Sequence, residues 1–373
     1  MKKYHISAIV IAIAALAAAF VSGREFLAHR RPETIFPGPG VTEKRMLSDW
    51  YPALKGGRGD TEVYIFRGDE EGGSILVLGG THPNEPSGYL AATVLVENAS
   101  VSKGTLYVIP RANNSAFTHN DPQEGSPASF TIKKSDGDER VFRFGSRATN
   151  PLDQWPDPEV YIHASSGQHL SGNETRNLNR GYPGRTNGTF TERVCYGITS
   201  LIKAQNITMT IDLHEASPEY PVINAIVAHE RAMTLASYVV LGLEIQDIKI
   251  GLEPSPRNLH GLTHRELGDA TDTFAVLMET ANASQGRIRG RTDAALALTG
   301  KDTCYVKAAE LGRLYVPFDE RGHPIEERVG RHLAGIAEFA FALGTEYPDK
   351  EILIEGIPDY YELQDNGLGA YLK

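Results

Sequence analysis

Ser74-Ile-Leu-Val-Leu-Gly-Gly-Thr-His82-Pro-Asn-Glu85 joins an apolar run to a short polar turn. A run of Ile, Leu and Val stopped by Gly-Gly reads as a buried strand with a sharp exit. His82 and Glu85 then project from one turn, a good way to hold a divalent metal if a neighbouring strand supplies a third ligand. Zinc in catalytic sites takes three protein ligands of His and carboxylate type and keeps a fourth position open. Two further runs end in ligand-type side chains: Met209-Thr-Ile-Asp-Leu-His214 and Phe274-Ala-Val-Leu-Met-Glu279.

Strands that each end in such a residue follow the logic of open α/β sheets, where sites form at the carboxyl ends of strands. The rest of the chain alternates in the same sense. Residues 61–67, 105–110, 223–229 and 273–279 read as strands, while 86–98, 191–204, 231–242 and 325–343 carry helical periodicity. The expected fold is therefore α/β, one domain with a mixed β-sheet and helices on both faces. Residues 118–172 break the pattern. Asp136-Gly137 marks a hairpin outside the core, and the whole stretch reads as a surface excursion over the site.

Two more motifs join the runs: Asn177-Leu-Asn179-Arg180-Gly-Tyr-Pro183, and Pro110-Arg-Ala-Asn-Asn-Ser-Ala-Phe117 after Thr105-Leu-Tyr-Val-Ile109. With them the sequence resembles the zinc carboxypeptidases of the M14 type. Within these it looks most like the succinylglutamate desuccinylase/aspartoacylase-related branch, whose members carry Gly-Gly-x-His-x-x-Glu. The resemblance spans residues 62–344. It implies one zinc per chain on His82, Glu85 and His214, with Glu279 as the catalytic base. It also implies that Asn179 and Arg180 hold a substrate carboxylate, a task suited to the planar guanidinium fork. A second Arg that polarises the scissile carbonyl is expected among Arg111, Arg143, Arg147 and Arg176, with Arg147 preferred. Tyr220 and Tyr305 are candidates for the family's mobile tyrosine. Aspartoacylase-like members carry a β-rich C-terminal domain, whereas only a short tail, 345–373, follows here, which favours a single-domain carboxypeptidase shape.

Glu215 competes weakly with Glu279 as base, since strand alternation points it away from the side chain of His214. His260 and His264 suggest a second metal, but their Pro/Gly-rich surroundings argue for a polar substrate loop.

The chain has 373 residues, a formal net charge of −10 and 41% apolar residues, with no basic block of the kind that binds nucleic acid. Lys2-Lys3, the apolar residues 6–21 and Ser22-Gly23 have the order of an export signal, 1–23. The competing reading is an uncleaved N-terminal anchor. Residues 24–60 read as an arm or linker and 61–344 as the catalytic domain. The two cysteines, Cys195 and Cys304, either pair after export or stand as separate buried thiols.

The reading that follows is an exported, periplasmic or envelope-associated zinc metallocarboxypeptidase. Its substrate is a peptide with a free carboxylate, cell-wall peptides included, and any membrane contact runs through the N-terminal segment. The alternative is an N-acyl amino acid deacylase, which needs the same zinc, Glu279 and Arg180. A third class, a non-catalytic peptide-binding module, would show loss of a ligand or of the base, and neither is lost.

Overall fold

The computed structural model describes residues 2–121 and 125–373. Met1, the side chains of Lys2 and Lys3, and residues 122–124 of the expected excursion lie outside the described residues.

Among the described residues, nine strands form the main sheet. In chain order the strands are β1 (Glu43–Met46), β2 (Glu62–Arg67), β3 (Glu70–Leu78), β4 (Ser100–Ile109), β5 (Ser129–Lys133), β6 (Glu139–Arg143), β7 (Val160–Ile162) and β8 (His169–Ser171). They continue as β9 (Met209–Ala216), β10 (Ala225–Ala228), β11 (Gly251–Pro254), β12 (Phe274–Ala281) and β13 (Leu353–Glu355). The helices are α1 (Lys2–His29), α2 (Pro86–Asn98), α3 (Phe190–Gln205), α4 (Met233–Ile245) and α5 (Thr263–Ala270). After them come α6 (Ala294–Thr299), α7 (Thr303–Glu310), α8 (Ile325–Glu346) and α9 (Tyr360–Asn366).

The sheet order is β1-β2-β4-β3-β9-β12-β10-β11, with β13 beside β4; β5-β6 and β7-β8 stand apart as small two-stranded sheets. The run β4-β3-β9-β12 is parallel, and β2 and β10 close it with antiparallel pairings. Parallel strands need a crossover, and α2 supplies the one between β3 and β4. Strands covered on both faces read as continuous apolar runs, which is why Ile75 to Leu78 shows no polar alternation. The alternation is one of destination. Ile75, Val77, Ile211, Leu213, Val276 and Met278 pack with α2, α4 and α8. Leu76, Leu78, Ile109 and Ala275 pack with α3 and Leu267 of α5. Each fully buried side chain of this kind contributes roughly 1.5–3 kcal/mol. Helix α3 starts at a capping box, Thr189 with Glu192, and stops at left-handed Asn206. The fold is the expected one: a mixed sheet with helices on both faces.

Four local expectations need correction. Residues 24–60 are not a free linker, because α1 runs on to His29 and β1 pairs with β2. Residues 345–373 are not a loose tail: β13 pairs with β4, and Leu363, Leu368 and Leu372 join the core. Glu97 ties both ends down. Its buried carboxylate pairs with Arg140 and accepts from the backbone N–H groups of Phe36 and Lys373 at 3.0 and 2.8 Å. The β5-β6 hairpin is not outside the core, since Phe130 and Phe142 stack with centroids 6.0 Å apart and are buried in it. Finally, Cys195 and Cys304 are both free, but Cys304 is exposed rather than buried.

Helix α1 is exposed, and its segment Tyr4–His29 is long and apolar enough to cross a membrane. Its end is held by the domain: Arg143 donates to the carbonyl of Ala28 at 2.7 Å, and Arg58 to that of Arg30 at 2.9 Å.

Candidate active site

The loop after β3 is shaped by Gly80, whose φ of +65° is left-handed and where a Cβ would lie 2.7 Å from the Phe117 ring. The turn closes with the N–H of Glu85 on the carbonyl of His82 at 3.0 Å, and Pro86 opens α2 at once. His82 and Glu85 are thereby fixed at the carboxyl end of β3. His214 reaches the same point from β9. All three are buried, and their candidate ligand atoms lie within 4.8 Å of one another.

The hydrogen bonds say which atoms face inward. His82 Nε2 lies 2.8 Å from Asn177 Oδ1, an acceptor that also takes the N–H of Asn179, so Nε2 carries the proton. Burial, then the Arg147 charge, pushes His82 down to about 4, which keeps the ring neutral. Its Nδ1 is then a bare lone pair 2.9 Å from Glu85 Oε1. Two lone pairs at that separation call for a cation between them, and here Arg147 Nη1 reaches both, at 3.0 Å from Oε1 and 3.3 Å from Nδ1. His214 is set between two carboxylates, with Nδ1 at 2.9 Å from Glu85 Oε2 and Nε2 at 2.7 Å from Asp212 Oδ2. Burial works to lower its pKa, and the carboxylates of Asp212 and Glu85 outweigh that and raise it. The carboxylates around His214 thus favour positive charge at this point. Two imidazoles and a carboxylate, with each far ring nitrogen tied to a protein acceptor, fit zinc.

Asp212 is oriented in turn, by Thr81 Oγ1 at 2.8 Å and Thr263 Oγ1 at 2.6 Å. The supporting roles of Asp212 and Asn177 were not recognised in the sequence. Asp-x-His at the end of a strand was the available signal, because residues two apart share a face.

Glu279 sits beside His214 in the parallel register of β12 and β9. Its Oε2 is buried without a hydrogen-bond partner. Burial pushes its carboxyl up to about 8; the His214 charge opposes this rise and Glu85 adds to it. Glu215 goes the other way, into an ion pair with Arg328 at 2.6 Å and a bond from the Ser87 N–H at 3.2 Å.

A cleft of about 370 Å³ gathers His82, Glu85, His214, Glu279, Arg147, Asn179 and Arg180 in one lining. Arg180 has a side-chain exposure of 17%; its Nη1 donates to the carbonyl of Asn179 at 2.6 Å, Glu174 is a distant ion partner at 3.8 Å, and burial lowers its pKa. Asn179 Oδ1 accepts from the Thr263 N–H at 2.8 Å, which fixes the motif against α5. Of the four expected arginines only Arg147 lines the cleft. Arg111 pairs with Glu33 and Glu62, Arg143 binds the carbonyl of Ala28, and Arg176 pairs with Asp157. Tyr220 lines the cleft, whereas Tyr305 is buried elsewhere against Glu219. His264 is bonded to Ser255 and His260 to Glu266, so the two do not converge.

No protein-family model and no curated protein matches the chain. Solved structures do. One is a succinylglutamate desuccinylase from Silicibacter sp., with 14% identity, TM-score 0.37, and 61% of this chain covering 55% of that one. Another is the product-bound ectoine utilization protein EutE from Ruegeria pomeroyi, with 16% identity, TM-score 0.37 and coverage of 61% and 55%. A third is the tripeptide-bound cell shape determinant Csd4 from Helicobacter pylori, with 13% identity, TM-score 0.46 and coverage of 80% and 57%. The chain thus spans little more than half the length of these structures.

Proposed function

We propose that this protein is an exported zinc-dependent hydrolase that cleaves an amide bond next to a free carboxylate, acting on peptides as a carboxypeptidase. The observation that carries the reading is the unpartnered Oε2 of Glu279 in one cleft with the His82-Glu85-His214 donor set and the half-buried guanidinium of Arg180.

His82 Nδ1, Glu85 and His214 would hold the zinc. Zinc so bound supplies Lewis acidity toward water and toward the scissile carbonyl. Arg180 receives the substrate carboxylate, with Asn179 beside it, and so sets which amide bond lies near Glu279. As general base, Glu279 takes a proton from the attacking water and gives it to the leaving nitrogen as the C–N bond breaks. Arg147, next to Glu85, would donate to the carbonyl oxygen as negative charge grows there. The membrane-capable helix α1 supports export, as signal or retained anchor.

The test is mass-spectrometric detection of products from a mixed panel of peptides and N-acyl amino acids, with zinc-loaded full-length protein. Release of C-terminal residues from peptides supports the carboxypeptidase; cleavage confined to N-acyl amino acids replaces it with the deacylase. No cleavage of either class overturns the hydrolase reading.

A further inference from the structure

A second cluster of metal-type side chains lies behind the Asn179-Arg180 motif. His163 follows β7, His260 precedes α5, and Glu266 is on α5; their candidate ligand atoms also lie within 4.8 Å of one another. His163 and Glu266 are buried, and His260 has a side-chain exposure of 30%, which leaves a way in from solvent. The His163 and His260 rings stack at 5.9 Å with planes 19° apart.

Its hydrogen bonds share two features with the first site, a far imidazole N–H held by a protein acceptor and a contact between Nδ1 and a carboxylate. His163 Nε2 donates to the carbonyl of Tyr182 at 2.7 Å, so Nδ1 is a lone pair, reached by the Ser166 hydroxyl at 2.8 Å. His260 Nδ1 meets Glu266 Oε1 at 2.7 Å, as His82 Nδ1 meets Glu85 Oε1 at 2.9 Å. Glu266 Oε1 also accepts from the N–H of Gly261 at 3.0 Å, which fixes the carboxylate. A ligating His whose far N–H is held by a backbone carbonyl is the usual arrangement around a metal. A single proton joins one pair of these atoms; a cation engages all three.

We infer that His163, His260 and Glu266 form a second, structural site for a divalent transition metal of the zinc or cobalt class, which locks the backbone that presents Arg180. Imidazole nitrogen with one carboxylate selects such ions over magnesium or calcium. The hairpin bearing His163 holds the Arg180 segment on both sides: Tyr161 Oη donates to the carbonyl of Arg180 at 3.2 Å, and His163 to that of Tyr182. From the other side, Gly261 has a φ of +86° and approaches so closely that a Cβ would lie 2.1 Å from the carbonyl oxygen of Arg180. The N–H of Tyr182 donates to the carbonyl of Gly261 at 3.3 Å. An ion on the cluster therefore crosslinks the two loops between which Arg180 hangs. The metal site stands without the hydrolase reading; only its effect on substrate rests on that reading.

The experiment uses full-length protein in detergent, stripped with chelator and titrated with zinc alone, with metal content measured by mass spectrometry. Wild type should hold two ions, His260→Gln one, and His214→Ala one. One ion in wild type that is lost entirely in His214→Ala overturns the second site, as does equal content in His260→Gln and wild type. Two ions retained in His214→Ala, with one in His260→Gln, would remove the first site and keep this one. Hydrogen exchange gives an independent readout in His214→Ala protein, where the hydrolase site is disabled. Zinc at 100 times its Kd should slow exchange over residues 177–183 by up to about 100-fold. Unchanged exchange there overturns the lock on Arg180.

Discussion

His214 and Glu279 are direct partners in the parallel ladder between β9 and β12, so their side chains leave the sheet on the same face, one strand apart. The pairing puts a carboxyl group next to a metal-type imidazole on a rigid frame, and Glu279 needs no loop to bring it there.

Replacing Glu279 by Gln should leave the metal bound and cut kcat by about 10²–10⁴-fold or more. The amide fills the same volume and takes no proton. Steady-state kinetics beside metal analysis decides it: near-normal turnover would move the base elsewhere. Glu215 is a poor substitute, because its carboxylate is committed to Arg328.

Losing the imidazole of His214 should empty the first site, leaving a chain that still folds, since the core on both sheet faces does not pass through it. Metal content and circular dichroism of His214→Ala measure the two halves of this expectation. Unchanged metal content would sink the ligand assignment.

Asp212→Asn tests orientation rather than ligation. Asp212 holds His214 Nε2 at 2.7 Å, and loss of such a partner typically costs about 10–100-fold in metal affinity. Competition with a chelating dye measures it, and an unchanged Kd would show that Thr81 and Thr263 hold Asp212 for another purpose.

If Arg180 reads a substrate carboxylate, amidating that carboxylate should hurt the wild type far more than Arg180→Ala. A charge-assisted bidentate pair is lost once, whichever partner is removed, so the two losses should not add. The measurement is kcat/KM for acid and amide forms of one peptide with both proteins. Equal sensitivity to amidation would take away the main support for a carboxypeptidase.

Glu97→Ala should destabilise the fold by about 3–5 kcal/mol, because it leaves Arg140 buried without its counter-charge. It also frees the backbone donors of Phe36 and Lys373. Urea unfolding gives the value; a loss below 1 kcal/mol would show that the arm and C-terminus are held by other contacts.

The three apolar runs, and the ligand-type residue at or just beyond the end of each, were legible in the sequence because strand period and chain-end chemistry are local. So was the turn of Glu215 away from the side chain of His214, which follows from alternation alone. The tail and arm were not, because β13 and β1 are short strands that exist only through pairing with β4 and β2. The Phe130-Phe142 pair had the same obscurity: a hairpin's own residues do not say whether it finds a core.

By itself the sequence determined which ligand-type side chains stand on the apolar runs and which runs present them. Tertiary structure decided the rest: that Arg147, and not Arg111, Arg143 or Arg176, enters the cleft, that Asn177 and Asp212 orient the two imidazoles, and that His260 meets His163 rather than His264. Those choices depend on contacts between residues far apart in the chain, and a side chain's local pattern does not encode which distant partner the packed sheet will bring to it.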